Sequence, residues 1–91
     1  MSDREKYKTS IALSYDEVGA PTVTASGNGL TADAIIERAR EFGVPVVEDA
    51  KLAYLLSKVP LGEEIPAELY QAVAEILVFI LRLEATVRER A

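Results

Sequence analysis

The apolar positions in residues 65–83 recur at three- and four-residue steps, a spacing that predicts a long helix. One face of this helix is apolar along its whole length, with Leu69, Val73, Ile76, Ile80 and Leu83. Further apolar residues widen that face around most of the circumference: Ala72, Leu77, Val78, Phe79 and Leu81. A helix of this kind is either buried nearly all round or keeps an apolar strip for a partner.

Two short strands joined by a turn are predicted near the start of the chain. Residues 10–15 alternate in polarity and place Ile11, Leu13 and Tyr15 on one face. Residues 22–25 are rich in β-branched side chains, which favour strands. The stretch 16–21 between them contains a glycine and a proline and is typical of a turn.

The first helix has recognisable signals at both ends. Thr31 is the predicted N-cap, Asp33 in the first turn favours the helix dipole, and Leu30 can pack on Ile35 as a hydrophobic staple. Gly43 is expected to end the helix in the left-handed cap conformation. The predicted buried stripe of this helix consists of Ile35, Ala39 and Phe42.

A third strand and two more helices follow. Residues 44–47 predict a brief strand that is buried on both faces. Glu48 or Asp49 then caps a second helix that Pro60 stops, and Pro66 opens the last helix from its first helical position. The apolar face of the second helix is predicted to consist of Leu52, Leu55, Leu56 and Val59.

The element order β-β-α-β-α-α predicts an α/β fold of α+β-like character. It is a small mixed β-sheet of about three to four strands with three helices packed around it. The unit at residues 22–47 should form a right-handed crossover with a parallel strand pair, and the first strand should join as an antiparallel neighbour. We expect a flexible N-terminal lead at residues 1–9, a single domain at residues 10–85 and a frayed C-terminal end at residues 86–91.

Composition narrows the possible functions. A chain of 91 residues forms one domain, and a net charge of −5 with scattered lysines and arginines argues against a nucleic-acid partner. The absence of Cys and His removes thiol nucleophiles, Ser-His-Asp triads and the usual zinc ligands, so we expect no catalytic residue, metal or cofactor. The polar first nine residues do not resemble a signal peptide, and the apolar run 76–81 is far below the roughly 20 residues that span a bilayer. A cytoplasmic protein is expected.

One motif has the spacing of a nucleotide site. Gly27, Gly29 and Ala32 fit the dinucleotide-binding pattern G-x-G-x-x-A between a strand and a helix, and Glu48 lies about 20 residues on, where a ribose-binding carboxylate belongs. The same residues have a structural interpretation, because such turns need glycine and Glu48 or Asp49 can cap the next helix. A small nucleotide-binding domain is therefore an alternative function.

Three segments resemble the C-terminal cytoplasmic domain of the FlhB/YscU export switch proteins of flagellar and type III secretion systems. They are I-A-L-S-Y-D-E with A-P-T-V-T-A-S-G, then G-V-P-V-V-E-D, then L-G-E-E-I-P-A-E-L-Y-Q-A-V-A-E-I-L. The resemblance covers residues 10–84. It implies an interaction module, non-catalytic, that docks at the export apparatus or onto secreted export substrates and influences protein export, with export-apparatus membrane proteins as further partners.

The chain departs from this family in two ways. Family members carry a large N-terminal membrane domain, so this chain is expected to be a stand-alone homologue located in the cytoplasm or at the inner-membrane export gate. They also cut themselves at an Asn-Pro-Thr-His loop, whose positions are held here by Glu5, Lys6, Tyr7 and Lys8. Because the family's cut uses cyclisation of that Asn onto its own carbonyl, we predict no autocleavage.

The resemblance also implies a substrate-docking patch. Its matching positions are Ala20 and Pro21 on the turn with Ala74 and Leu77 on the last helix, and all four are apolar here. Two other interpretations stay open: Ala74 and Leu77 could belong to the core, and residues 20–21 could be an ordinary turn. A third functional class is a self-associating structural protein, a monomer or weak homo-oligomer that buries the spare face of the last helix.

Overall fold

A β-hairpin and three α-helices form the part of the chain that the computed structural model describes, which is the backbone of residues 8–90 and the side chains of residues 8–85. A single 3-10 turn, Ala67–Leu69, leads into the last helix. The elements are β1 (Thr9–Ser14), β2 (Thr22–Asn28), α1 (Leu30–Glu41), α2 (Ala50–Leu56) and α3 (Tyr70–Arg90). The α/β class with three helices around a small sheet is thereby confirmed.

The hairpin is antiparallel, as expected for the first strand. Pairing runs from Thr9 opposite Asn28 to Ser14 opposite Thr22, so β2 is three residues longer than the sequence pattern indicated. The register shifts between Ala12 and Leu13, where the hydroxyl of Thr24 donates to the carbonyl of Ala12 at 3.3 Å. The extra residue of this bulge keeps Val23, which is fully buried, on the core side of the sheet.

The third strand does not form, which corrects the predicted topology. Among residues 8–90 the sheet has two strands instead of three to four, and no parallel pair or right-handed crossover. Val44, Val46 and Val47 are 52%, 43% and 42% exposed, so they lack the two-sided burial that a central parallel strand requires. Pro45 adds a residue with no backbone N–H for a ladder. The apolar run is an exposed connector and not a buried strand.

The core joins the hairpin to the C-terminal half of the chain. Its buried cluster consists of Val23, Leu52, Leu56, Ile65 and Val73, which come from β2, α2, the connector and α3. Burying one such side chain fully contributes about 1.5–3 kcal/mol. Partly buried apolar residues surround the cluster: Ile11, Leu13, Ala20, Val59, Leu69, Ile76 and Leu77. The core therefore fixes the turn after β1 against the first turns of α3.

The predicted N-terminus of α1 is wrong by two residues. The N-cap is Gly29, with φ 57°, and Thr31 lies inside the helix without a capping hydrogen bond. Leu30 is 82% exposed and forms no staple, and Phe42, predicted as buried, is 66% exposed. Strand β2 leads directly into α1 through Gly29. The chain takes a positive φ there, which glycine adopts easily and threonine does not, so a Thr cap does not form at this junction.

Two other helix ends agree with the sequence, and the start of the last helix does not. Gly43, at φ 71°, ends α1, since its N–H donates to the Arg40 carbonyl and the N–H of Val44 to the Ala39 carbonyl in a Schellman arrangement. Asp49 caps α2 by accepting a hydrogen bond from the N–H of Leu52 at 3.0 Å. Pro66, predicted as the first helical residue, is instead the N-cap of the 3-10 turn, and α3 itself begins at Tyr70.

Helix α3 buries only part of its apolar surface. Val73 is buried and Ile76 packs on the core, but the face continues past the domain. The exposed large apolar residues in its later turns are Val78, Phe79, Leu81 and Leu83. The helix is therefore not buried nearly all round, but keeps an apolar strip without a partner in the described chain.

Most of both predicted chain ends lies outside the part of the chain that the structure describes, so the predicted domain limits are not tested there. Residues 1–7, which include most of the predicted lead, and Ala91 lie outside the described residues, as do the side chains of residues 86–90. Lys8 is described, and its Nζ contacts Oδ1 of Asp33 at 2.7 Å, tying the start of β1 to α1. Within the described residues, no helix has the length and apolarity needed to cross a membrane.

Candidate functional site

An open depression of about 310 Å³ lies between the turn after β1 and the first turns of α3. Its buried floor is formed by Pro21, Ile65 and Val73. The remaining wall residues are Tyr15, Gly19, Ala20, Tyr70, Ala74 and Leu77. Carbon atoms therefore dominate a concave surface that water can reach.

Backbone hydrogen bonds hold the floor in place. The connector pairs with the start of β2 through the N–H of Ile65 to the Pro21 carbonyl at 2.9 Å, Val23 N–H to the Glu63 carbonyl at 3.0 Å, and Gly62 N–H to the Val23 carbonyl at 2.7 Å. Gly62 takes φ 86° to make this reversal. Because the connector is fixed to β2 and α3 follows it after one 3-10 turn, the helix is aimed across the turn of the hairpin.

All four residues of the predicted docking patch lie on this depression. Ala20 is half-buried, Pro21 is buried, Ala74 is exposed and Leu77 is half-buried. The turn and the helix are more than 50 positions apart in sequence, so no local pattern brings them together. Their docking role is a proposal and is argued below.

Sequence reasoning missed several wall residues, above all the two tyrosines. Tyr70 is 48% exposed and lines the depression, whereas Phe79 on the same helix does not. A helical spacing would have found it, because Tyr70, Ala74 and Leu77 are separated by four and three residues and share one stripe. Tyr15 gave no such signal, since its position depends on the course of the turn.

Carboxylates lie at the edge of the depression beside Gly19. Oδ1 of Asp16 accepts hydrogen bonds from the N–H groups of Val18, at 3.0 Å, and Gly19, at 3.4 Å. These bonds lower the pKa of Asp16 below its ordinary value, because they favour the ionised carboxyl. Oε2 of Glu64 lies 3.1 Å from the position that a β-carbon at Gly19 would occupy.

The nucleotide-like motif has structural explanations in this fold. Gly27 faces Thr31 and Ile35 so closely that a side chain there would clash with α1, and Gly29 takes a positive φ at the N-cap. The N–H of Gly29 already donates to the Lys8 carbonyl at 2.9 Å. Glu48 does not follow a strand parallel to β2, which the dinucleotide fold requires. Within the described residues, no group of acidic side chains is arranged to hold a metal ion.

Comparison with known proteins places this domain among the export switch proteins. The model of the FlhB HrpN YscU SpaS family matches residues 7–80, and the chain belongs to that family. It is 39% identical over 92 residues to the uncharacterized protein YlqH of Bacillus subtilis (strain 168), covering 99% of each chain.

Longer relatives share the same segment. The chain is 44% identical over 78 residues to the flagellar biosynthetic protein FlhB of Escherichia coli (strain K12), which covers 82% of this chain and 20% of that protein. It thus spans about a fifth of the length of that relative. The crystal structure of the cytoplasmic domain of FlhB from Shewanella putrefaciens superimposes with a TM-score of 0.83 at 29% identity, covering 91% of this chain and 70% of that one.

Proposed function

We propose that this chain is a non-catalytic interaction module of a flagellar or type III export system, and that its depression docks export substrates. The observation that carries the proposal is the convergence of Ala20, Pro21, Ala74 and Leu77 on one open apolar surface. Membership of the FlhB HrpN YscU SpaS family supports the broader role in protein export. Through this role the chain would act in the cytoplasm or at the cytoplasmic side of the export gate, with gate membrane proteins as additional partners.

The shape of the depression suits a single apolar side chain of an extended segment. Its volume of about 310 Å³ is at the small end of the range for ligand pockets. The rigid floor requires little rearrangement, but a disordered segment loses chain entropy when it binds. We therefore expect dissociation constants of about micromolar to millimolar. Weak, rapidly reversible capture is appropriate for substrates that must move on into the export gate.

A rescue experiment tests the proposal. The strain carries an export switch protein that has lost its C-terminal fragment. This chain is supplied in trans, and secretion of late export substrates is measured. We expect partial or full restoration with the native chain and none with Ala74→Asp. Ala72→Asp is the matched control, because Ala72 is an exposed alanine near the same end of α3 that does not line the depression.

Two results would count against the proposal. Failure of the native chain to restore secretion, although present and folded, would leave the family relation as evidence of fold and ancestry alone. Equal rescue by Ala74→Asp and Ala72→Asp would remove the depression from the mechanism. Leu77→Asp is a weaker probe, since Leu77 also packs on the core and its loss would destabilise the fold. For that reason Ala74 carries the test.

Self-association is a second candidate function, favoured by the exposed apolar strip on α3. Phe79 is 56% exposed and shares one side of α3 with the exposed Leu83, while Val78 and Leu81 are exposed on another side. Packing of two such strips would remove this surface from water. Sedimentation velocity at two protein concentrations separates the candidates: a mass that rises with concentration and falls again in Phe79→Ser supports self-association, and a constant monomer mass excludes it over that range.

A further inference from the structure

The segments that build the depression carry only one sign of charge. Residues 15–21 and 61–81 supply its entire wall, and every lysine and arginine of the chain lies outside these two segments. The acidic residues within them are Asp16, Glu17, Glu63, Glu64, Glu68 and Glu75. An apolar surface bordered in this way selects against anionic ligands and attracts cationic ones.

Two of these carboxylates lie beside the wall residue Gly19. Asp16 is held there by the N–H groups of Val18 and Gly19, and Glu64 approaches Gly19 from the connector. The pKa of Asp16 is lowered by those hydrogen bonds, so this carboxyl is ionised at neutral pH. Neither Asp16 nor Glu64 forms an ion pair with any residue whose side chain the structure describes. Both negative charges are therefore available to a ligand.

The two tyrosines add a second attraction for a cation. Tyr15 and Tyr70 line the depression and are 43% and 48% exposed, so ring surface is open to a ligand. The faces of aromatic rings attract ammonium and guanidinium groups. Lysine and arginine also have long apolar stems that can lie along an apolar wall while the charged head stays in water. The aromatic rings, the carboxylates and the apolar floor are together complementary to a peptide in which a basic residue stands beside an apolar one.

We propose that the depression selects extended peptide segments in which an apolar anchor residue is directly flanked by lysine or arginine. The anchor contacts Ile65 and Val73 on the floor, and the basic side chain lies against the carboxylates of Asp16 and Glu64. This inference rests on the proposed docking function and specifies which segments are bound. Segments with acidic flanks are repelled, even where their apolar residues are the same.

Binding of three synthetic peptides tests this selectivity. They share a central Phe-Leu pair and differ only in the flanking residues, which are lysine, glutamine or glutamate. Amide chemical shifts of Gly19 and Ala74 in the full chain report binding during NMR titration. We expect the lysine peptide to bind most tightly and the glutamate peptide most weakly. The dissociation constant should change about 1.5- to fivefold for each exposed charge pair. Added salt should reduce the differences, since surface charges are screened.

Substitution of the carboxylates assigns the effect to the wall. Asp16→Asn keeps an acceptor for the N–H groups of the turn, and Glu64→Gln keeps the length of the side chain. Each substitution should weaken binding of the lysine peptide about 1.5- to fivefold and leave binding of the glutamine peptide unchanged. The matched control is Glu37→Gln on α1, which removes the same charge from a helix that contributes nothing to the wall.

The outcomes distinguish this inference from the function on which it rests. Equal affinities for the three peptides, with binding still abolished by the uncharged substitution Ala74→Gln, would overturn charge selection and leave docking intact. Charge selection by the wall would also be overturned if Glu37→Gln weakened binding of the lysine peptide as much as Glu64→Gln does. The net charge of the chain would then be sufficient to explain the loss of affinity. No response of Gly19 or Ala74 to any peptide at millimolar concentration would reject docking and selectivity together.

Discussion

Thr31 lies so close to Gly27 that a β-carbon added at position 27 would be 2.9 Å from the β-carbon of Thr31. The Cδ1 atom of Ile35 would be 3.3 Å away on the same helix. Only a residue without a side chain lets α1 approach β2 at this point. We expect Gly27→Ala to lower the free energy of unfolding by about 1–3 kcal/mol, the usual range for overpacking. Urea denaturation with a constant m-value measures this change.

Gly19→Ala is the control for that substitution. The nearest atom to a β-carbon at Gly19 is a carboxylate oxygen of Glu64, at the end of a flexible side chain, and Gly19 does not have a positive φ. The expected change is within about 0.5 kcal/mol, as for most surface substitutions. Equal losses in the two variants would contradict the close approach of α1. Saturation-transfer NMR with NAD, NADP and ATP adds a check, since a purely structural role for Gly27 predicts no contact.

The cap of α2 makes a separable contribution to stability. Asp49 accepts from the N–H of Leu52, whereas no such bond is formed by the adjacent Glu48. Asp49→Ala should therefore lower the free energy of unfolding by about 1 kcal/mol. Glu48→Ala removes the same charge from the neighbouring residue and should change it much less. A loss of similar size in both variants would show that charge, and not the cap, matters at this helix end.

The titration of Asp16 has an expected direction. Hydrogen bonds from Val18 and Gly19 lower its pKa in the folded chain, so the carboxyl carbon should titrate below the ordinary value of about 3.9. The stability linked to ionised Asp16 is present above the unfolded pKa and is lost as the pH falls through the folded pKa. NMR of the carboxyl carbon in native buffer and in urea measures both values. A folded midpoint at or above the urea value would refute the assignment.

The chain should remain intact at the positions of the family's cleavage loop. Glu5 and Lys6 lack the asparagine amide and the proline that the family uses, although residues 1–7 lie outside the described structure. We expect the intact mass to be unchanged after days at neutral pH. A fragment that begins at Lys6 would falsify this expectation.

Restoring the loop provides the comparison. The fourfold variant Glu5→Asn, Lys6→Pro, Tyr7→Thr and Lys8→His carries the family motif in the same fold. A cut in this variant, with none in the native chain, would show that these four residues alone withhold cleavage. Lys8→His also removes the contact with Asp33, so Lys8→His alone is measured beside it. Because that ion pair is exposed, the single change should affect stability by at most about 1 kcal/mol.

Much of the local structure could be predicted because it depends on short-range chemistry. Gly43 ends α1 in the left-handed conformation, and Asp49 caps α2 through a side chain three residues from its partner. Such features need only neighbouring residues, so their residue types reveal them. The grouping of Ala20 and Pro21 with Ala74 and Leu77 came instead from resemblance to a family, which contains tertiary information that no single periodicity provides.

The errors arose where local preference was overruled by long-range geometry. The valines at residues 44–47 have strong strand propensity, yet no strand pairs with them and they remain about half exposed. Thr31 has good capping chemistry, but the hairpin enters α1 through Gly29. In both cases the sequence pattern correctly indicated a local conformational preference that the folded chain does not adopt. Strand pairing and the direction in which the chain enters a helix depend on distant elements.

The hairpin, the three helices, the scarcity of catalytic side chains and the apolar excess of α3 all follow from local sequence. Hydrophobic period, turn chemistry and composition are properties of neighbouring residues and can be read without coordinates. Tertiary packing brings Tyr15 and Tyr70 to the same depression and places the carboxylate of Glu64 beside Gly19. These contacts join residues about 50 positions apart, so they exist only once the core has packed the connector and α3 against the hairpin.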